Sequence, residues 1–244
     1  MSSLIDAVPI PRRTMVLFLL IDASGSMHGS KIGTLNTAIE EMIPDLHDLS
    51  ESNADALIKI AVLEFSTGAR WITSSGPLDL KNFVWNRIEA DGVTDLGAAL
   101  SELNKKLSKN EYMREATGSF APAIFLMSDG GPTDDYQKEL ESLKQNNWFK
   151  KAIKVALAIG KDADISVLAE FTGTPEAVVE VHNANQLKKM IKFMSIRASE
   201  VASTSSHVGS KNDESGNSKQ SDMIDQLQSF AQELNNDDAD DAGW

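Results

Sequence analysis

The chain has 244 residues, of which 41% are hydrophobic and 24% are charged. This composition is sufficient for one sizeable core, so we expect a single domain with a tail. The net charge of −13 at pH 7 argues against nucleic acid as the main partner, because a phosphate backbone is bound by a basic surface. The absence of cysteine excludes disulfides, thiolate zinc sites and cysteine nucleophiles, and it suits the cytoplasm.

The amino-terminal part of the chain is interpreted as an extension over residues 1–13, followed by a buried strand. Arg12 and Arg13 precede an apolar run, an order that imitates a secretory signal peptide. The run ends after a few residues at Asp22, and this makes a strand the better interpretation. No other stretch approaches the roughly 20 apolar residues that a membrane-spanning helix requires, so we expect no membrane partner.

Strand-like and helix-like patterns alternate through residues 14–199, which we interpret as the folded domain. Apolar runs typical of strands buried on both faces occur at 15–21, 57–65, 123–127, 153–159 and 177–181. Apolar residues at helical spacing predict helices near 32–49, 96–107, 135–145, 164–171 and 185–199. The alternation predicts a Rossmann-like, doubly wound α/β fold, with a mostly parallel sheet and helices on both of its faces. The short stretch 69–72 is predicted to be an antiparallel edge strand.

The sequence changes character near Ser199. Residues 200–220 are rich in Ser, Gly, Asn and Lys, and they are predicted to form a flexible linker before an acidic tail over 221–244. From Val201 to the end the chain has nine acidic residues and two lysines, a net charge of −7. More than half of the total negative charge therefore belongs to this part of the chain.

The tail contains five apolar residues at helical spacing, and they predict a short amphipathic helix: Met223, Ile224, Leu227, Phe230 and Leu234. A helix of this length cannot bury its apolar face alone. Two interpretations stay open at this point. Either the helix packs back on the domain, or it binds a partner protein through these five residues.

Three polar segments are expected at one edge of the predicted sheet. The first is DASGS, which contains Asp22, Ser24 and Ser26; the second contains Thr94 just before a helix, and the third begins at Asp129, directly after a strand. Because the carboxyl ends of parallel strands meet at the same edge, we expect these five side chains to lie close together. Two carboxylates and three hydroxyls form an all-oxygen site, which suits Mg²⁺ first, with Mn²⁺ or Ca²⁺ as alternatives.

The order of these five residues resembles the metal-ion-dependent adhesion site of von Willebrand factor A domains. In that family, Asp-x-Ser-x-Ser is followed by a distant Thr and then a distant Asp, and the pattern is complete in this sequence. The resemblance extends over about residues 14–199. Within the family, the segments SDGGPTDDY and TDLGAAL are most similar to the bacterial TerY/YegL-type proteins, which are associated with tellurite resistance and stress operons.

The resemblance implies a role for each matching residue. The hydroxyls of Ser24, Ser26 and Thr94 would contact the metal, while Asp22 and Asp129 would act directly or through water. A cation held largely by hydroxyls keeps much of its charge, so an Asp or Glu of a partner protein can complete its coordination. The implied function is a metal-dependent protein-interaction module without catalytic activity, serving as a regulatory or scaffold subunit. A protein kinase or a PP2C-type phosphatase is the kind of partner that the resemblance suggests.

Other chemistries fit these residues less well. The segment GSMHGSK separates its second glycine from the lysine, which a phosphate-binding loop does not do. Gly25 directly precedes Ser26, and this departs from the Gly-x-Ser-x-Gly of serine hydrolases. The strongest alternative is a Mg²⁺-dependent phosphatase of the haloacid-dehalogenase type with Asp22 as its nucleophile. That class has a second acid two residues later, where this chain has Ser24.

Nearby polar residues have simpler interpretations. Asp95, Thr133 and Asp134 each precede a helical pattern and are interpreted as helix caps.

A carboxylate of the acidic tail is a further candidate ligand for the metal, in the same molecule or in a neighbour. The linker spans roughly 25 Å and the domain is about 35 to 40 Å across, so the intramolecular version requires an extended tail.

Overall fold

A computed structural model describes residues 12–114, 118–203 and 215–237 of the chain. These ranges contain seven strands: β1 (Arg13–Asp22), β2 (Ala56–Ser66), β3 (Gly68–Trp71), β4 (Leu78–Asp79), β5 (Ala123–Ser128), β6 (Ile153–Ile159) and β7 (Val178–Val181). They also contain seven α-helices: α1 (Ser30–Ser52), α2 (Leu96–Lys106), α3 (Gln137–Lys144), α4 (Asn147–Lys151), α5 (Ile165–Thr172), α6 (Ala184–Ser203) and α7 (Ser215–Asp237). Short 3-10 helices occur at Gly25–Met27, Leu80–Asn82 and Pro175–Ala177.

The strands form one sheet in the order β3-β2-β1-β5-β6-β7, with β4 also paired to β2. The pairs β1–β2, β1–β5, β5–β6 and β6–β7 are parallel. The short strands β3 and β4 run antiparallel to β2. The predicted α/β fold, with its mostly parallel sheet and antiparallel edge strand, is therefore confirmed. The two-residue strand β4 and the five-residue helix α4 were not predicted.

Helices cover both faces of the sheet, which explains why the central strands are almost wholly apolar. Alternate residues of a strand point to opposite faces. Met15 and Leu17 of β1 contribute to the core shared with α1, α6 and α7. Val16 and Phe18 contribute to the second core, which is shared with α2, α3, α4 and α5.

The order of the strands reverses between β1 and β5. The chain leaves β1 for α1 on one face of the sheet and leaves β5 for α3 on the other face. The crevice between the carboxyl ends of these two strands is the place where open α/β sheets bind ligands. Asp22 is the last residue of β1, and Asp129 follows the last residue of β5.

The carboxyl-terminal part of the chain differs from the sequence-based expectation. Helix α6 continues to Ser203 and helix α7 begins at Ser215, so both ends of the predicted linker 200–220 are helical. Residues 204–214 lie outside the described residues, as do residues 1–11 of the predicted extension and the end of the acidic tail, residues 238–244.

Helix α7 packs on its own domain, which is the first of the two interpretations left open for the tail. Met223 and Leu227 have 0% exposure and Leu234 has 5%, all within the core on the α1 and α6 side. Phe230 stacks on Phe193 of α6 with ring centroids 4.1 Å apart, and Ile224 is half-buried. The face predicted to bind a partner is therefore covered by the domain and is not an open docking surface.

The contacts of α7 place it at the edge of the sheet opposite to Asp22 and Asp129. The side chain of Gln220 pairs with both main-chain groups of Lys154, at 2.8 and 2.9 Å, near the start of β6. Gln228 donates to the main-chain oxygen of Glu176, just before β7. No helix within 12–114, 118–203 or 215–237 combines the length and apolar character that crossing a membrane requires.

Candidate metal centre

The carboxylate of Asp22 is buried and oriented by two hydrogen bonds. Asp22 has 0% exposure, its Oδ1 accepts the main-chain N–H of Ser24 at 2.8 Å, and its Oδ2 accepts the Oγ of Ser128 at 2.5 Å. Burial raises the pKa of Asp22, while the hydrogen bonds from Ser128 and Ser24 oppose this effect without cancelling it. The site therefore contains a carboxylate whose charge has little access to water, which favours a nearby cation.

A chain of hydroxyls joins the DASGS segment, called the first loop, to the segment that begins at Asp129, called the third loop. The Oγ atoms of Ser24 and Ser26 lie 3.0 Å apart, and the Oγ of Ser26 donates to Oδ1 of Asp129 at 2.6 Å. Ser24 and Asp129 are buried, whereas Ser26 is exposed. The structure thus brings Asp22, Ser24, Ser26 and Asp129 into one continuous group.

Thr94 contacts the third loop through its main-chain groups. Its N–H donates to the Oγ1 of Thr133 at 3.0 Å, and its oxygen accepts the N–H of Thr133 at 2.9 Å. The loop before Thr94 is joined to the first loop, because the N–H of Gly25 donates to the oxygen of Gly92 at 3.0 Å. Gly92 has a φ of +82°, and a Cβ there would lie 2.5 Å from the Oγ1 of Thr67, so the packing of Gly92 against Thr67 requires glycine. Thr94 itself is 7% exposed.

The residues interpreted as helix caps hold the loops together. The carboxylate of Asp134 accepts the N–H groups of Gly97 and Ala98, at 3.0 and 3.1 Å, in the first turn of α2. Asp134 is thus a cap, although of a helix that precedes it in the chain. Asp95 stands at the N-cap position of α2, yet its Oδ2 accepts the N–H of Gly68 at 2.8 Å. The contacts of Asp134 fix the start of α2, which follows Thr94, against the third loop, and the contact of Asp95 joins it to the start of β3.

Lys31 is a member of the site that the sequence analysis missed. Its Nζ lies 2.6 Å from Oδ2 of Asp129, and the side-chain exposures are 16% for Lys31 and 0% for Asp129. A lysine in the first turn of a helix opposes the helix dipole, and this was the one sequence signal that could have marked it. Ser128 was also missed; its signal is a polar residue ending an otherwise apolar strand.

The donor set fits a hard divalent cation. Adjacent ligands in an octahedral Mg²⁺ site with bonds of 2.0–2.1 Å are separated by about 2.9 Å, close to the 3.0 Å between the Oγ atoms of Ser24 and Ser26. Every side-chain donor is an oxygen, as this class of cation requires. Within the part of the chain that the structure describes, no three His, Cys, Asp or Glu residues converge. A metal at this edge would therefore depend on the serine and threonine hydroxyls.

Comparisons with known sequences agree with this fold. The sequence model of the family described as von Willebrand factor type A domain matches residues 17–193. The collagen alpha-6(VI) chain of Mus musculus is 25% identical over 181 residues. The matched region is 72% of this chain but 8% of the collagen chain, so this chain corresponds to a small part of that relative.

Two solved structures with the same fold come from a bacterium and from a mussel. The von Willebrand factor type A from Catenulispora acidiphila gives a TM-score of 0.56 at 18% identity, over 76% of this chain and 43% of that chain. Proximal thread matrix protein 1 from the mussel byssus, in a structure with a zinc-occupied MIDAS motif, gives 0.55 at 16% identity, over 77% and 48% of the two chains. At these identities the similarity shows the fold alone. This chain spans less than half the length of either structure.

Proposed function

The chain belongs to the von Willebrand factor type A domain family, and from this premise we propose that it is a protein-interaction module whose binding requires a divalent cation. Domains of this family are commonly metal-dependent interaction modules. One observation carries the proposal for this chain. The hydroxyls of Ser24 and Ser26 lie 3.0 Å apart and next to two buried carboxylates. Asp129 accepts the hydroxyl of Ser26, and Asp22 accepts the main-chain N–H of Ser24.

The proposed cation is Mg²⁺, with Mn²⁺ or Ca²⁺ as alternatives. Ser24, Ser26 and Thr94 would hold it through their hydroxyls, and Asp22 and Asp129 would act directly or through water. The bound ion would supply a positive centre that attracts a carboxylate. The zinc in the MIDAS motif of the mussel protein supports a divalent metal at such a site in this fold.

The proposed ligand is an Asp or Glu side chain of a partner protein. Neutral hydroxyls withdraw little charge from a cation, so the ion stays attractive to a further carboxylate. The chain itself carries a net charge of −13, and an acidic partner surface would be repelled without the metal. The metal therefore decides both whether and where such a partner binds.

The biological setting is proposed from the resemblance of SDGGPTDDY and TDLGAAL to TerY/YegL-type proteins. We place the chain in the cytoplasm of a bacterium, as a regulatory or scaffold subunit of a stress-response system like that for tellurite resistance. A protein kinase or a PP2C-type phosphatase is the proposed partner. The chain would act by binding and would not catalyse a reaction.

Affinity capture with and without metal tests this function. The tagged chain is incubated with bacterial lysate in Mg²⁺ or in EDTA, and proteins eluted by chelator are quantified. We expect the captured partners to be lost in EDTA and to fall at least about tenfold with Thr94→Ala, because a ligand hydroxyl is removed. Thr174→Ala, which lies before β7 at the opposite edge of the sheet, serves as the matched control and should capture partners like the wild type. Equal capture in EDTA and by Thr94→Ala would disprove the proposal.

The phosphatase alternative is tested on the same preparations. Both oxygens of Asp22 accept hydrogen bonds from the chain and the residue is fully buried, an arrangement unsuited to a nucleophile. We expect no Mg²⁺-dependent hydrolysis of p-nitrophenyl phosphate above the level of Asp22→Asn. Turnover that needs Mg²⁺ and disappears in Asp22→Asn would replace the binding proposal with the catalytic one.

A further inference from the structure

Lys31 makes an ion pair inside the candidate metal centre. It stands in the first turn of α1, shortly after the loop that carries Ser24 and Ser26. Its Nζ donates to Oδ2 of Asp129 at 2.6 Å, across 98 positions of sequence. The other oxygen of Asp129 accepts the hydroxyl of Ser26 at 2.6 Å. The carboxylate predicted to serve the metal is thus already engaged by an ammonium group.

The position of Lys31 is unfavourable for the helix and is explained by Asp129. A positive charge at the amino end of a helix opposes the helix dipole. Helix α1, which is described throughout, has no acidic residue in its first turn to offset this charge. With 16% of the side chain exposed, Lys31 has also given up most of its contact with water. The contact that compensates for both costs is the ion pair with Asp129.

Two buried carboxylates need positive charge whether or not a metal is bound. Asp22 and Asp129 both have 0% exposure. Buried charges are strongly destabilising unless they are paired and hydrogen-bonded. Lys31 neutralises the negative charge of Asp129, as a divalent cation at this site would also do. Because an ammonium and a metal ion repel each other, the two cations oppose each other at this carboxylate.

We infer that Lys31 is a built-in counter-cation of the metal centre, which stabilises the metal-free site and lowers its affinity for the divalent ion. Metal binding has to release Asp129 from Lys31 or tolerate the repulsion, and either one weakens binding. The inference rests on the proposed function, since it requires that this centre bind a metal. It adds that metal affinity is set by Lys31, a residue outside the set of five ligands.

Calorimetric titration with Mg²⁺ at pH 7.5 tests the inference on the full chain. We expect Lys31→Met to bind Mg²⁺ about tenfold more tightly than the wild type, which corresponds to about 1.4 kcal/mol. Lys31→Gln, which keeps a hydrogen-bond donor without the charge, should also bind more tightly. Lys31→Arg keeps the charge and should bind like the wild type. In EDTA, Lys31→Met should melt at a lower temperature and show a larger upward shift on adding Mg²⁺.

Lys188→Met is the matched control for loss of one positive charge. Lys188 pairs with Glu41 on the outer surface of α1 and α6, at 2.9 Å, and its replacement should leave Mg²⁺ affinity unchanged. Unchanged or weaker Mg²⁺ binding in both Lys31→Met and Lys31→Gln would overturn the inference, since Lys31 would then position Asp129 for the metal or be irrelevant to it. A wild type that binds Mg²⁺ in that case leaves the proposed function intact. Absence of Mg²⁺ binding in the wild type and in both neutral variants would overturn inference and function together.

Discussion

At the scale of single residues, the carboxylates of the site are almost fully occupied by the chain itself. The two oxygens of Asp22 accept a main-chain N–H and a serine hydroxyl. The two oxygens of Asp129 accept a serine hydroxyl and a lysine ammonium. A carboxylate has further lone pairs, but these bonds fix its orientation and disperse its charge. The site is therefore suited to weakly charged, hydroxyl-based coordination, which leaves an ion attractive to an outside carboxylate.

Lys154 provides a pH-dependent prediction away from the metal centre. It lies on β6, burial lowers its pKa to about 8, and its Nζ donates to the main-chain oxygens of Ala152 and Phe149 at 3.0 and 3.3 Å. Below that pH, folding has to bury a charge that the unfolded chain keeps in water. This destabilisation disappears as the pH rises from about 8 towards the ordinary lysine value of 10.5, where the unfolded chain also loses the proton.

We therefore expect the unfolding free energy of the wild type to rise relative to Lys154→Met by about 2–3 kcal/mol between pH 7 and pH 10.5. Urea unfolding of both proteins across this range measures the difference at each pH. Comparison with the variant removes the contribution of other groups that titrate in the same interval. A difference that does not change with pH would show that Lys154 keeps its ordinary pKa in the folded state.

At the scale of secondary-structure elements, α7 is an integral part of the domain. Strand β7 pairs with β6 only from Ala156 onward, so the main-chain groups of Lys154 lie before the start of β7 and have no partner in that strand. Gln220 of α7 satisfies both of these groups. Its apolar face meanwhile completes the core beside α6. The helix thus closes the amino-terminal edge of the sheet.

Truncation of an apolar side chain on α7 should therefore destabilise the whole domain. We expect Met223→Ala to lower the free energy of unfolding by about 2–5 kcal/mol, because Met223 has 0% exposure within the core. Gln226→Ala, an exposed position on the same helix, is the control and should change stability by less than about 0.5 kcal/mol. Chemical unfolding followed by circular dichroism gives both values. A Met223→Ala protein as stable as the control would restore the interpretation of this helix as a docking segment.

The sequence predicts the long elements and the four-residue strands β3 and β7, and it misses strand β4 and helix α4. The central strands were predicted because burial on both faces makes them continuous apolar runs. Strand β4 and helix α4 have two and five residues, too few to show a period. The start of α7 was taken for linker because its first turns consist of polar residues. Those turns are fixed by the contact between Gln220 and Lys154, 66 positions apart, which no local pattern encodes.

The same distinction applies to the candidate site. The five expected ligands were predicted from strand ends and from the spacing of a known motif, and four of them are joined by direct contacts. Lys31 and Ser128 lie outside that motif, and no local pattern specifies their contacts, which are with residues 98 and 106 positions away. Their roles follow from how the sheet brings β1 and β5 together. The identity of the metal and its partner stay predictions.

At the scale of the whole molecule, binding and closure of the core are assigned to opposite edges of one sheet. The candidate metal centre lies at the carboxyl edge, where the strand order reverses between β1 and β5. Helix α7 lies at the amino-terminal edge, near the starts of β6 and β7. Under the proposed function, the overall negative charge would repel an acidic partner, and a bound metal would offset this repulsion.

Direct titration of the purified chain with Mg²⁺, by calorimetry at pH 7.5, is the measurement closest to this account. We predict that the wild type binds a single ion, and that Ser26→Ala and Thr94→Ala each weaken binding by at least about tenfold, because each removes a hydroxyl ligand. Thr174→Ala should bind Mg²⁺ like the wild type. Absence of Mg²⁺ binding by the wild type and by both Lys31→Met and Lys31→Gln, or equal affinity in the wild type, Ser26→Ala, Thr94→Ala and Thr174→Ala, would contradict the assignment of a metal centre to this edge of the sheet.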